Sequence, residues 1–257
     1  MRTVAATRYL TPLREGGSLP AIVEADDDGM YVLKFRGAGQ GPKALIAELV
    51  AGEIARALGL PVPEIVFMQL DTELARTEPD PEIQDLMRAS GGLNLALDYL
   101  PGAVAYDPLT MPIDEALASR IVWLDALVGN VDRSARNTNL LWWHGSPWLI
   151  DHGAALVFQH QWDGCLQRSR NPFAPIADHV LLPRANALAE ADAQLAPRLT
   201  PERIAAIVAM IPDAWLDGQA PFASRDAERD AYRLYFDARL RAPRAFADEA
   251  RHAHARL

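Results

Sequence analysis

Lysine is almost missing from this chain, cysteine nearly so, and neither a long apolar run nor a basic stretch occurs in its 257 residues. Each shortage excludes something. The single cysteine, Cys165, cannot close an internal disulfide. A chain without disulfides suits a reducing compartment, so a cytoplasmic protein is expected. No run approaches the roughly 18 apolar residues that a membrane span needs. The first residues lack the apolar core and small-residue cleavage site of a secretion signal. No membrane partner is expected. The net charge is −9 without any basic cluster, which argues against binding a nucleic-acid backbone. It leaves room for a local basic pocket that holds phosphates. No internal repeat or low-complexity tract is visible. Half of the residues are hydrophobic and 23% are charged, the composition of a globular chain with one large domain or a two-lobed one.

The lysine shortage also directs attention. Only Lys34 and Lys43 interrupt a basic complement that is otherwise arginine. Lysine is a compact point charge where arginine is a planar fork, so its use here is a choice to explain.

The pattern of apolar residues and turn formers predicts an α+β chain. Strands are expected at 4–13, 19–25, 30–35, 64–70 and 93–100, with turns at 15–18 and 26–29. A helix runs from 42 or 43 to about 58, with Leu45, Leu49, Ile54 and Leu58 on one face and Gly59 as its stop. A short helix at 81–88 is capped by Asp80. After Pro101-Gly102 helices dominate, at 114–128, 187–196 capped by Asn186, 201–210 capped by Thr200, and 225–241 capped by Ser224. Two short strands, 139–143 and 148–150, form a hairpin between the first two of these. His252 and His254 read as part of a solvated polar tail. The layout is a strand-rich lobe over 1–100 with one main helix, a crossover near 100, and a helical lobe over 101–257.

Two segments carry chemistry. In Gly129-Asn130-Val131-Asp132-Arg133-Ser134-Ala135-Arg136-Asn137, Asp132 and Asn137 stand five apart, the D-x-x-x-x-N spacing of a kinase catalytic loop. A short loop on a rigid helix can aim a carboxylate at an incoming hydroxyl and an amide oxygen at a metal from one side. In Trp148-Leu149-Ile150-Asp151-His152-Gly153, an apolar strand ends in Asp, an aromatic ring and Gly, similar to the D-F-G loop whose Asp holds Mg²⁺. One hairpin separates the two, so Asn137 and Asp151 are expected side by side. An amide and a carboxylate oxygen suit that hard cation. Lys34, in a strand, resembles the lysine that holds nucleotide phosphates. Glu48 in the following helix is its candidate partner, with Glu53 the alternative. Gly16, Gly17 and Ser18 either cover phosphates with backbone N–H groups or form an ordinary hairpin turn. Asp98, Tyr99 and Leu100, where the lobes meet, are where an adenine would dock on backbone groups.

With these residues in hand, the chain resembles the HipA-like kinase family. The carriers are Asn130, Asp132, Asn137 and Asp151, together with the stretches ALGLPVPEIV, LDYLPGA, NLLW, WLIDHGAAL and DHVLLP. The likeness covers about residues 10–182. It implies a bilobal protein-kinase-like fold, ATP with Mg²⁺ as cofactors, Asp132 as catalytic base and a hydroxyl acceptor, expected to be protein Ser or Thr. A small-molecule or lipid acceptor, or a nucleotide-binding pseudokinase, are the other outcomes. The toxin kinases of the family carry an additional amino-terminal region that contacts an antitoxin. Because this chain begins almost at the kinase lobe, no antitoxin partner is expected.

Overall fold

The computed structural model describes residues 1–13, 19–218 and 221–257. The turn expected at 15–18, with Gly16, Gly17 and Ser18, lies outside the described residues. Five strands form a closed barrel: β1 (Thr3–Pro12), β2 (Ala21–Ala25), β3 (Met30–Lys34), β4 (Ile65–Leu70) and β5 (Gly92–Asp98), in the order β1-β2-β3-β5-β4. A parallel pairing of β1 with β4, Thr3 opposite Phe67 and Ala5 opposite Gln69, closes it. Alternation along β3 buries Tyr31 and Leu33 inside the barrel. It turns Val32 and Lys34 to the other face, where they line a cavity. The period of two along a strand thus decides which side Lys34 takes.

Helix α1 (Pro42–Ala57) follows β3. The sequence predicts one apolar face, but every residue from Leu45 to Gly52, with Ile54 and Ala55, is buried. The helix is sandwiched between the barrel and the carboxy-terminal helices, which explains why its small residues run all the way round. Gly52 permits the close approach: a Cβ there would lie 2.5 Å from Ile65 Cδ1 on β4. Helix α2 (Pro81–Ala89) is capped by the Asp80 side chain, which accepts from the Glu82 N–H.

Beyond β5 come β6 (Val104–Ala105), α3 (Glu115–Val128), β7 (Leu140–Trp143) and β8 (Ser146–Leu149), the three strands forming a second small sheet. Asp114 caps α3, and Gly129 ends it in the left-handed conformation. Between β7 and β8 the turn is only His144-Gly145, both at positive φ, which matches the twist of a two-residue hairpin. The remaining helices are α4 (Cys165–Arg168), α5 (Leu188–Leu195), α6 (Pro201–Val208), α7 (Arg225–Leu240) and α8 (Ala245–His254). Thr200 and Ser224 cap α6 and α7 as expected.

Two further expectations need correction. Asn186 does not cap α5, which begins two residues later with no side-chain cap of its own. The Ala187 N–H is instead satisfied by the Ser119 hydroxyl of α3, at 2.9 Å. A tertiary neighbour has replaced the local cap. The polar tail is in fact α8, whose Phe246, Ala247, Ala250 and Ala253 are buried. Phe246 meets the fully buried Trp123 of α3 edge-on, with ring centroids 5.3 Å apart.

The Gly52 contact generates a test. Ala at this position is absorbed by rotation at the free end of Ile65, whereas Val forces α1 off β4. Gly52→Val should lower unfolding stability by about 1–3 kcal/mol, the usual scale of overpacking. Urea titration of both variants reads this, and a Val variant as stable as Ala would contradict the close packing.

Candidate active site

Lys34 lies between two carboxylates. Its Nζ is 2.7 Å from Asp151 Oδ1 and 3.4 Å from Glu48 Oε2. Glu48, on α1, is buried and also accepts from the His152 backbone N–H at 3.0 Å and from His152 Nδ1 at 3.3 Å. One side chain of α1 therefore holds both the lysine of β3 and the loop after β8. Glu53, the alternative partner, instead pairs with Arg56 on its own helix. Burial alone would lower the Lys34 pKa, but Glu48 and Asp151 outweigh it and hold the ammonium above its ordinary value. Burial pushes Glu48 upward, yet Lys34 and His152 carry it below the usual carboxylate range. The three charges sum to −1, and Lys34 and Asp151 line the cavity while Glu48 stands behind them.

A second buried carboxylate organises the loop after α3. Asp125 is fully buried. Its Oδ1 accepts from Asn130 Nδ2 at 3.0 Å, and its Oδ2 from Arg133 Nε at 2.6 Å. His179 Nε2 lies 2.8 Å from the same Oδ2. His179 Nδ1 accepts the Leu181 N–H at 3.0 Å, so Nε2 carries the hydrogen and donates to Asp125. Burial pushes His179 below its ordinary pKa by more than Asp125 raises it, in keeping with a neutral ring. Asp125 itself is pushed up by burial and carried far below the carboxylate range by Arg133 and His179.

Arg133 Nη1 donates to the carbonyl of Asn139 and reaches that of Ile150 at 3.5 Å. Its Nη2, like Nε2 of His152, is buried without a partner among the described residues.

The loop so held presents Asp132. Its Oδ2 accepts from Asn137 Nδ2 at 3.1 Å and from Asn139 Nδ2 at 3.2 Å. Asn139 also donates to the Asp132 carbonyl at 2.7 Å.

A cavity of about 1060 Å³ runs from the barrel to this loop. Lys34, Asp98, Tyr99, Leu100, Asn137, Asn139 and Asp151 all contribute to its wall. Asp132 and Glu48 stand behind it, each joined by a hydrogen bond or ion pair to a residue that lines it. The Asp98 and Tyr99 N–H groups are used by the Glu64 and Met30 carbonyls, whereas the Leu100 N–H has no partner among the described residues. Sequence reasoning missed Asp125, His179 and Asn139. The only local signal was Asn139, a residue type enriched at positive φ, which here has φ 45°. Asp125 and His179 are 54 positions apart, and no spacing rule connects them.

A strand barrel, a lysine on β3 paired to the following helix, and an Asp…Asn loop at the end of a buried helix define a protein-kinase-like fold. Solved structures agree. The Helicobacter pylori proinflammatory kinase CtkA is similar, with TM-score 0.62 and 15% identity over 97% of this chain and 96% of that one. The Golgi casein kinase, solved with Mn/ADP bound, is similar with TM-score 0.51 and 14% identity, over 93% of this chain and 73% of that one. At these identities the likeness speaks for the fold alone. A family model described as HipA-like kinase matches residues 7–234. The chain belongs to the HipA-like kinase family. The match runs on into α7, well past the region where the sequence resemblance thins. No curated protein is detectably similar in sequence, and among the described residues no helix is long and apolar enough to cross a membrane.

The buried acids and His179 set a pH profile. Folding lowers the pKa of His179, which Asp125 and Arg133 face, so its contribution is complete above the unfolded value and lost as pH falls through the folded one. Glu48 and Asp125 behave likewise in the acid range. Stability against urea should be level between about pH 7 and 8, decline below about 6.5, and fall steeply below about 4.3; at alkaline pH it should fall again, because Cys165, Tyr232 and Lys34 have raised values. His179→Gln should shrink the upper step to the share left by His160, whose pKa is also lowered, by burial and by Lys43. An upper step of unchanged height in that variant would assign the proton to another group.

Proposed function

We propose that this chain is an ATP- and Mg²⁺-dependent kinase that transfers the γ-phosphate to a hydroxyl acceptor, a protein Ser or Thr. The observation that carries the reading is the shared wall of one cavity: Lys34 ion-paired to Asp151 at 2.7 Å, Asn137, and the backbone of Asp98, Tyr99 and Leu100. The volume of about 1060 Å³ lies just above the roughly 300–1,000 Å³ typical of small-molecule sites. The two-lobe division at about residue 100 belongs to the same reading, as do the Gly16-Gly17-Ser18 cover over the phosphates and a cytoplasmic setting. The protein acceptor rests on the family resemblance. The acidic chain gives no reason to expect nucleic acid.

The donor set fits the cofactors. Asn137 commits its amide nitrogen to Asp132, so its oxygen is the end left for a ligand. With the partly exposed carboxylate of Asp151, it offers two hard oxygen donors beside a net negative charge. Among the described residues no three His, Cys, Asp or Glu side chains are grouped to share a metal. Phosphate oxygens and water would complete such a shell, as is usual for Mg²⁺. When bound, the ion would neutralise charge on the phosphates. Lys34 is a point charge suited to those same phosphates, oriented by Glu48. The free Leu100 N–H is suited to the edge of an adenine.

In the transfer step the acceptor oxygen bonds to the γ-phosphorus, the bond from that phosphorus to the ADP oxygen breaks, and the hydroxyl proton passes to Asp132. Two amide donors on Oδ2 fix the Asp132 carboxylate and leave Oδ1 to face the hydroxyl. In a loose transition state, positioning and charge neutralisation do most of the work.

Asp132→Asn keeps the shape and loses the proton acceptor. It should bind ATP within a few-fold of wild type and transfer phosphate about a hundredfold or more slowly in single turnover, the scale of general-base effects. Transfer within a few-fold of wild type would remove Asp132 from that role. Wild-type protein that labels neither itself, a lysate acceptor nor water from radiolabelled ATP would leave a nucleotide-binding pseudokinase. A second test concerns the metal. Calorimetry of Asp151→Ala should show that Mg²⁺ no longer strengthens ATP binding, and an unchanged metal effect would refute the ligand assignment.

A further inference from the structure

We infer that Arg133 is a positioning residue that locks the loop of the base to the loop of the metal aspartate, independently of any bound ligand. The inference rests on the kinase reading for what the two loops do, but its geometry stands apart from that reading. Arg133 is neighbour to Asp132 in sequence and is turned inward, its side chain fully buried. Asp125 anchors Nε at 2.6 Å. The far end of the fork, Nη1, serves two carbonyls that belong to opposite ends of the β7–β8 hairpin: Asn139, just before β7, and Ile150, just after β8. The Ile150 carbonyl belongs to the peptide that leads into Asp151. The Arg133 carbonyl, in turn, accepts the Val180 N–H at 3.1 Å, beside His179.

A second observation supports the same role. Asn139 and Asp151 are both non-glycine residues in the left-handed region, at φ 45° and 55°. Such conformations persist only where the surroundings over-determine them. The guanidinium grips the carbonyl of the first and the carbonyl that immediately precedes the second. A buried arginine that merely neutralised Asp125 would need neither contact. Lysine could neutralise Asp125, but its single nitrogen could not stay on that carboxylate, as Nε does, and also reach the two carbonyls that Nη1 holds.

The test is Arg133→Lys with three measurements. Thermal unfolding checks that it folds. Calorimetry of ADP with and without Mg²⁺ should give metal-free affinity within about threefold of wild type. The enhancement by Mg²⁺ should be cut about 10–100-fold, the usual cost of losing a group that orients a metal ligand. Asp132→Asn, by contrast, should keep that enhancement. Backbone NMR of ligand-free Arg133→Lys should show displaced or broadened amides at 137–139 and 151–153, with the barrel unchanged. A folded Arg133→Lys with wild-type Mg²⁺ enhancement and undisturbed loop amides would overturn the proposal. If the variant does not fold, wild-type protein still decides. Resolved, slowly exchanging Nη protons on Arg133 without ligand support the lock, and a freely rotating guanidinium sinks it. If wild-type ADP binding gains nothing from Mg²⁺, the kinase reading fails, while the NMR result still settles whether the lock exists.

Discussion

A carboxylate with no exposed surface, Asp125, sits in the last turn of α3, and the loop that carries Asp132 takes its shape from it. Leaving Asp125 unpaired in that position would cost several kcal/mol, because a buried charge without partners loses its hydration and gains nothing. Asn130 and Arg133, from the loop that follows α3, and His179, 54 residues beyond Asp125, supply the partners. Each of these residues is fixed by the need to satisfy Asp125, and their backbones are fixed with them. Asp132 lies between two of them in sequence, so its carboxylate is aimed outward as a consequence of its neighbours being drawn inward.

Glu48 repeats the device on the other side of the cavity. It too is a buried acid at the end of a long-range contact, and it too draws in a cation and a histidine, Lys34 and His152. The two acids differ in what they leave over. Around Asp125 the guanidinium neutralises the charge completely. Around Lys34 there are two carboxylates for one ammonium, and the surplus sits on Asp151, which is partly open to the cavity. The interior therefore carries balanced charge where it must be rigid and unbalanced charge where a ligand can enter.

Most residues that face the cavity were legible in the sequence, as was Glu48 behind it, whereas Asn139 in the wall and Asp125 and His179 behind the loop were not. Lys34 stood out because lysine is rare here. Asp132, Asn137 and Asp151 stood out because their chemistry requires particular residue types at short spacings along a loop and a hairpin. The barrel strands followed from alternation, although its closure through β1 and β4 did not, since that pairing joins segments some sixty residues apart. Asp125 sat unnoticed inside an apolar helix, where a buried acid breaks no periodic rule. His179 looked like part of a loop. Asn186 looked like a helix cap because the local pattern allows it, and Ser119 took that part from another helix. The polar character of residues 245–257 hid a buried stripe of one phenylalanine and three alanines, with Phe246 against Trp123. In each case a contact distant in sequence overruled or supplied what the local pattern could not specify.

Holding a loop through its backbone has a further consequence for how the site is built. Arg133 binds the carbonyls of Asn139 and Ile150. Arg239 of α7, also buried, donates to the carbonyls of Ala126 and Leu127 at the end of α3 and to those of Ser169 and Asn171. A cation at the carboxy-terminal end of a helix is favoured by the unsatisfied carbonyls there, which offsets the absence of an acidic partner among the described residues. Both arginines fasten segments around the end of α3 and the β7–β8 hairpin through backbone carbonyls, with Asp125 the one side chain of those segments that accepts a hydrogen bond from them. Neither arginine draws on the side chains of Asn137 and Asp151, whose remaining oxygens stay available to the cavity. Because every residue has a carbonyl, this fastening also tolerates change in the loop side chains. The part of the molecule that positions and the part that meets a ligand are separated at the level of individual hydrogen bonds.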